Sequence, residues 1–225
     1  MAASIDFDRV EVSLGGRTVL HELTLQLSER RIGILGANSS GKSTLVRCIN
    51  GLARPRSGTV RVHGHDVGRE TAKVRRLVGF LFSDADQQII MPTVAEDLAF
   101  SLRGRPRAEI DAAVEASLQR WGLTDHADHP CHLLSGGQKQ VLALAAILLT
   151  EPAVLIADEP TNLLDLRNVR RLAATLAALD QQQVVVTHTP ELLADFDRVL
   201  VLEAGRVVCD ADPAAAIAYY DALMR

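Results

Sequence analysis

One stretch, Gly36-Ala37-Asn38-Ser39-Ser40-Gly41-Lys42-Ser43-Thr44, restricts what this chain can fold into more than any other. It fits G-x-x-x-x-G-K-[ST], a loop whose backbone N–H groups cradle phosphates. The residues before it, 31–35, read as a buried β-strand, and residues 45–50 read as the first turns of a helix that Gly51 stops. In that strand–loop–helix setting the loop amides point inward at a helix N-terminus, where the dipole favours negative charge. Lys42 adds a mobile cation for β- and γ-phosphates, and the Ser43 hydroxyl is a ligand for Mg²⁺. A mere Gly/Ser turn would account for the loop but not for its flanks. Residues 36–44 are therefore expected to bind a nucleoside triphosphate such as ATP.

Length and charge narrow the setting. A chain of 225 residues suits one large domain, or one domain with an inserted lobe. With 48% hydrophobic and 23% charged residues it has the balance of a soluble globular protein, and its net charge of −4 argues against nucleic acid as the main partner. Arg103, Arg105 and Arg107 form a small basic run that reads as a solvated linker. Cys48, Cys131 and Cys209 are far apart and lack C-x-x-C spacing, as expected of reduced thiols in the cytosol. No signal peptide is expected, because Asp6 and Asp8 interrupt the start. The longest apolar run, 141–149, falls far short of the roughly 20 residues that span a bilayer.

Residues 4–12 alternate and suggest an edge strand; Gly15-Gly16 turns the chain into a second strand that is strictly period-2 over 23–27. Further strands are expected at 58–62 and 78–82. Helices follow at 93–102, 106–121 and 136–149, and three in a row without a strand suggest an inserted helical lobe. Alternation resumes with a strand at 153–157, a helix over 166–179, a strand at 183–186, a hairpin turning at Ala204-Gly205 and a last helix over 213–223. The expected fold is α/β: a P-loop NTPase core of mixed, largely parallel sheet with helices on both faces, an antiparallel β edge and an α-helical subdomain. It is read as a single domain over 1–225, with its core at 1–83 and 151–225 and the helical subdomain at 84–150.

Strand 153–157 runs into Asp158 and Glu159. A buried strand of a parallel sheet delivers its C-terminal end to the crevice where ligands bind. There Asp158 can hold Mg²⁺, and Glu159 can face the γ-phosphate and orient or deprotonate the attacking water. Leu134-Ser135-Gly136-Gly137-Gln138 opens a helix, with Ser135 as N-cap and two glycines that let amides approach an anion.

Together these features place the chain. The phosphate loop, L-S-G-G-Q, the apolar strand ending in Asp158-Glu159, and His188 in Val186-Thr187-His188 stand in the order of the ATP-binding cassette (ABC) ATPases, which the chain resembles over 4–210. The resemblance implies two cassettes head to tail, as a homodimer or a heterodimer with a second ABC ATPase. ATP would lie between the phosphate loop of one and Ser135, Gly136, Gly137 and Gln138 of the other. It implies Glu159 as general base, His188 on the γ-phosphate and Asp165 in a loop coupling the two sites. Two departures stand out. Ser83 occupies the position where family members usually carry a Gln that reaches Mg²⁺ and the water; it is two bonds shorter, roughly 2.5 Å of reach, and Gln87 or Gln88 is the candidate substitute. The aromatic that commonly stacks on adenine falls near Leu14, which offers apolar contact alone.

The run from Asp86-Gln87-Gln88 through Thr93-Val94 to Phe100 resembles the ATPases of energy-coupling-factor (ECF) vitamin and metal-ion importers, and with 161–167 most resembles the ATPase subunit of the biotin importer. That implies a peripheral protein on the cytoplasmic face of the membrane, under a transmembrane coupling subunit and serving a membrane-embedded substrate-binding subunit. Cobalt or nickel import is the alternative. Ile89, Ile90, Met91 and Pro92 would then form an exposed apolar patch for a partner helix. Two readings from other classes compete: a soluble cassette ATPase acting on nucleic acid or ribosomes, against which the single cassette and negative charge count, and a nucleotide-sensing module, against which the intact Lys42, Asp158, Glu159 and His188 count. His126, His129, Cys131 and His132 have the residue types of a metal site, but Pro130 interrupts their register.

Overall fold

The computed structural model of the chain describes residues 4–162 and 164–225. Residues 1–3 of the expected domain, and Leu163 in the Asn162–Asp165 stretch, lie outside the described residues. In chain order the elements are β1 (Ile5–Leu14), β2 (Arg17–Leu27), β3 (Arg31–Leu35), α1 (Lys42–Ile49), β4 (Ser57–Val62), β5 (His65–Asp66), α2 (Thr71–Leu77) and β6 (Val78–Leu81). Then come α3 (Val94–Ser101), α4 (Arg107–Trp121), α5 (Gly136–Leu148), β7 (Val154–Asp158), α6 (Leu166–Ala177), β8 (Gln182–Val186), β9 (Arg198–Glu203), β10 (Arg206–Ala211) and α7 (Pro213–Leu223). The α/β class is as expected, and the mixed sheet is present.

Contacts divide the chain into two units, residues 1–80 with 153–159 and 180–225, and residues 81–152 with 160–179. The first contains two sheets. Strands β9, β3, β8 and β7 pair in parallel within the order β10-β9-β3-β8-β7-β6, and β10 closes one edge antiparallel. Every residue of β3, β7 and β8 is buried, which is why these strands read as unbroken apolar runs rather than alternating ones. Their polar ends are the exceptions, Arg31 of β3, Asp158 of β7 and the two glutamines that open β8, where the Gln182 amide is satisfied by the carbonyls of Leu27 and Glu29 at 3.2 and 3.0 Å. Gly33 in the middle of β3 leaves room for Leu193: a Cβ there would lie 2.5 Å from its Cδ1. Arg31, buried at the start of the same strand, makes a two-pronged contact with the Asp195 carboxylate (2.9 and 3.2 Å) and lies over the Phe196 ring. The Arg31 guanidinium holds the Asp195 carboxyl below the ordinary Asp range.

The antiparallel sheet runs β2-β1-β4-β5. Its first hairpin turns on Gly15 and Gly16, both at positive φ (56° and 79°), as a two-residue turn between Leu14 and Arg17 demands. The edge strand expected at residues 4–12 is corrected here: β1 lies between β2 and β4, and the edges are β2 and β5. Alternation reports one buried face, which β1 has, but it carries no count of neighbours. The partner β4 joins from some fifty residues downstream, Phe7 opposite Val60.

The second unit is built from α3, α4, α5 and α6. Val94, Leu98, Val114, Leu118, Leu123, Leu134, Leu142 and Ala145 form its core with the buried Cys131. Helix α3 starts at a reciprocal capping box, Thr93 with Glu96, and α4 ends where Gly122 turns left-handed at φ 66°. Ile110, Val114, Leu118 and Trp121 recur at helical spacing along α4 and meet this core, as their pattern suggests. From the first turn of α3, the buried Asp97 carboxylate accepts from the Ile90 and Met91 amides at 2.8 and 3.0 Å and so fixes the loop ahead of the helix. Ile89 packs on the core, whereas Ile90 is 68% exposed and Pro92 is exposed.

Candidate nucleotide site

Strand β3, fully buried, ends at Leu35 and releases the chain into the phosphate loop. Gly36 has no room for a side chain, since a Cβ there would stand 2.3 Å from the Leu202 carbonyl oxygen and 2.6 Å from Ser40 Oγ. Gly41, at φ 104°, is the left-handed residue from which α1 starts. Among the described residues no side chain caps that helix, so the first-turn N–H groups at Lys42, Ser43 and Thr44 lack a capping partner there. Ala37, Asn38 and Ser39 are exposed, and Ser40 Oγ is buried with no hydrogen-bond partner among the described residues. An uncapped N-terminus beside an orphaned hydroxyl is a place for an anion.

Lys42 is 5% exposed, and its ammonium donates to the Gly36 and Ala37 carbonyls at 2.7 and 3.0 Å. It also lies 3.6 Å from Glu159 Oε1. Ser43 Oγ donates to Asp158 Oδ1 at 2.8 Å, and the Arg47 guanidinium is 3.6 Å from Asp158 Oδ2. Burial raises the Asp158 carboxyl above the ordinary Asp range; the Ser43 hydrogen bond and Arg47 oppose that, and neighbouring Glu159 adds to it. A buried, desolvated carboxylate beside a hydroxyl is an all-oxygen donor set, which suits a hard cation that keeps waters and phosphate oxygens for its remaining positions. The residues present therefore fit Mg²⁺. Among the described residues no group of three or more His, Cys, Asp or Glu side chains could hold a metal by itself.

Glu159 sits one residue past β7 at φ 52°, a conformation that costs a non-glycine residue about 1–2 kcal/mol. Three bonds hold it there. Its N–H donates to the Val186 carbonyl at 2.9 Å, and its Oε2 accepts from the His188 N–H at 3.2 Å and from His188 Nδ1 at 2.8 Å. Strain retained under such constraint is common at functional sites. The structure thus brings together residues 36–44, Asp158, Glu159 and His188, all within the first unit.

Ser135, Gly136, Gly137 and Gln138 belong to the second unit. Ser135 Oγ accepts from the Gln138 N–H at 3.3 Å, and Gln138 Oε1 accepts from the Ser135 N–H at 2.9 Å, a closed capping box on α5. Gly137 is packed against Asn168, whose side-chain atoms would be 2.6–2.7 Å from a Cβ. Asn168 in turn donates to Asp165, the N-cap of α6, at 2.8 Å through its backbone and 3.1 Å through its side chain. Of the two glutamines considered beside Ser83, Gln88 Oε1 accepts from the Phe82 N–H at 3.3 Å and Gln87 donates to Asp84 at 3.2 Å. Of the four residues with metal-ligand chemistry, His126 and His129 touch through their Nδ1 atoms at 2.8 Å, while Cys131 is buried in the helical core.

Sequence reasoning passed over Arg47, took Asp97 only as part of the run to Phe100 and took His126 only for its metal-ligand chemistry. Arg47 was findable, four residues after Ser43 and so on the same face of α1. The other two act through loop geometry, which has no local signature.

Comparisons with known proteins give the family. Residues 20–162 match the family model described as ABC transporter. The chain belongs to the ABC transporter family. It is 47% identical to the biotin transport ATP-binding protein BioM of Rhizobium etli over 96% of this chain and 97% of that one. It is 36% identical to the energy-coupling factor transporter ATP-binding protein EcfA1 of Caldanaerobacter subterraneus subsp. tengcongensis, over 94% of this chain and 80% of that one. Among solved structures, cbiO1 of Clostridium perfringens, described as part of the ABC transporter complex cbiONQ, superposes with a TM-score of 0.86 at 29% identity, covering 100% of this chain and 94% of that one. As the ATP-binding subunit of an ABC transporter, the chain binds ATP and is an ATPase, and it works with other subunits of a membrane transporter. No described helix is long and apolar enough to cross a membrane.

Proposed function

We propose that this ATPase powers an ECF-type importer of a micronutrient, with biotin as the cargo. The observation that carries the catalytic part is the convergence of Lys42, Glu159 and His188 on the uncapped end of α1, with the Ser43–Asp158 pair at 2.8 Å beside them. In this reading the first-turn amides and Lys42 hold the β- and γ-phosphates, and the ammonium exchanges a loop carbonyl for phosphate oxygen. Ser43 and Asp158 hold Mg²⁺, which would neutralise phosphate charge. Glu159 takes a proton from the water whose oxygen attacks the γ-phosphorus, the bond to the β-bridging oxygen breaks, and ADP leaves with phosphate. His188 Nδ1–H steadies the carboxylate and leaves Nε2 for the γ-phosphate. Ser135 of a second copy closes the site from the other side, so that ATP joins two chains and hydrolysis parts them.

The importer assignment rests on the likeness to BioM and EcfA1 and on the Ile89–Pro92 loop. Asp97 holds that loop so that Ile90 and Pro92 face solvent, an apolar surface suited to a short helix of a transmembrane coupling subunit. On this reading the protein sits peripherally on the cytoplasmic face. The test is uptake of labelled biotin by cells whose only copy carries Lys42→Ala. Uptake should fall to background; undiminished uptake would remove biotin as the cargo, and loss of cobalt or nickel uptake instead would transfer the assignment to a metal ion.

A further inference from the structure

We infer that His126 is a positioning residue for the ATPase reaction: it orients Gln138 and through it Ser135, and it does so only while its imidazole is neutral. The inference rests on the proposed role of Ser135 at the nucleotide.

The hydrogen bonds fix their own direction. The Ser135 N–H can only donate, so the Gln138 atom 2.9 Å from it must be the amide oxygen. The other end of that amide, Nε2, is then a donor, and it lies 2.8 Å from His126 Nε2. His126 Nε2 must therefore present a lone pair, which puts the ring proton on Nδ1. That proton points at His129 Nδ1, 2.8 Å away, which must accept it. One assignment satisfies all three contacts: Ser135 N–H to Gln138 to His126 to His129, with both imidazoles uncharged. Turning the Gln138 amide over would set an NH₂ against the Ser135 N–H and open the capping box.

The consequence concerns the Ser135 hydroxyl. It accepts from the Gln138 N–H at 3.3 Å, which leaves its own proton to donate. That donation reaches a γ-phosphate only if the first turn of α5 keeps its shape. A proton on His126 Nε2 would face the Gln138 NH₂ donor to donor and break the chain at its second link. The charged and titratable groups on the surrounding segments are Asp125, Asp128 and His129 in its own loop, Glu96 and Asp97 in the first turn of α3, which bonds that loop, Arg120 near the end of α4, which lies over Trp121, and Lys139 on α5, which pairs with Asp86 at 2.7 Å. Among the described residues only His129 and Gln138 bond the ring itself.

The test measures ATPase activity against pH for the whole transporter in lipid, with wild type, His126→Ala, His126→Gln and Ser135→Ala. His126→Ala should lower kcat between about 10- and 100-fold with little change in KM. His126→Gln offers an amide oxygen in place of Nε2 and does not titrate, so it should restore kcat near neutrality, and its activity relative to wild type should rise as the pH falls. His188 is present in both and cancels in that ratio. A ratio flat with pH, or His126→Ala at wild-type rate, overturns the inference while a slow Ser135→Ala leaves the parent reading standing; a normal Ser135→Ala overturns the parent. Should His126→Ala fail to fold, ¹⁵N-histidine NMR of the unaltered chain decides the point: Nδ1–H on His126 supports the inference, and Nε2–H overturns it.

Discussion

The N-termini of α1 and α5 meet the same problem in opposite ways. Each begins with donors that the helix cannot satisfy. On α5 the side chains of Ser135 and Gln138 close a capping box. On α1, among the described residues, no side chain caps the first turn and a buried hydroxyl at Ser40 lacks a partner, and the preceding loop is glycine-rich. A helix end left unsatisfied is unfavourable unless something outside the chain completes it, whereas a satisfied one can offer only the proton it has to spare. In the proposed mechanism that difference makes the α1 end the phosphate cradle and the α5 end the donor of a hydroxyl.

The largest effect should come from the group beside the open end. Glu159→Gln keeps the shape but removes the base, and kcat should fall by about 10³-fold while ATP binding is retained; hydrolysis at the normal rate would break the assignment. Ser135→Ala tests the closed end. It should slow hydrolysis by about 10²-fold if the hydroxyl meets the phosphate, and it also loses a cap. Thr93→Ala removes the equivalent cap on α3 and separates the two effects. It should cost about 1 kcal/mol, a drop of about 2–4 °C in Tm for a chain of this size, and leave kcat unchanged.

Asp158→Asn sharpens the contrast from the stability side. Burial raises the Asp158 carboxyl, so its charge opposes folding at neutral pH; the favourable contribution present in acid is lost as the pH rises through the raised value. Removing the charge should raise the Tm of the nucleotide-free protein at neutral pH by about 2–4 °C per kcal/mol regained, with the gain vanishing in acid and Mg²⁺ dependence weakened. The smallest effect is expected at Ser83. Replacing it with Gln should raise basal ATPase a few-fold, and no change would make the position silent.

Much of this was legible in the chain. The phosphate loop, the strand into Asp158-Glu159 and the N-cap at Ser135 are local, and local chemistry writes itself into sequence: glycine where a Cβ cannot fit, a hydroxyl where a helix begins. Helix α2 was not legible, because Val74 is its one buried side chain and seven residues with a single apolar contact have no period to read. Nor was the central position of β1, which depends on β4 arriving from far downstream. The tie from Gln138 to His126 was hidden for the same reason. In sequence His126 looks like one member of a His/Cys cluster, and only the fold shows that it faces an amide while Cys131 turns into the core.

The central claim is that two copies clasp one ATP, the open end of α1 in one facing Ser135 in the other. It is tested most directly by mixing Glu159→Gln copies that carry Ser39→Cys with Glu159→Gln copies that carry Ser135→Cys. Both positions are exposed, Cys48 and Cys131 are buried, and the half-buried Cys209 can be replaced by Ser. The Cys48 thiol, pushed up to about 12 by burial, will not compete. The expected result is a disulfide-linked pair that forms in the mixture when ATP and Mg²⁺ are added and not before. No cross-link with nucleotide, or an equal yield without it, would contradict the claim.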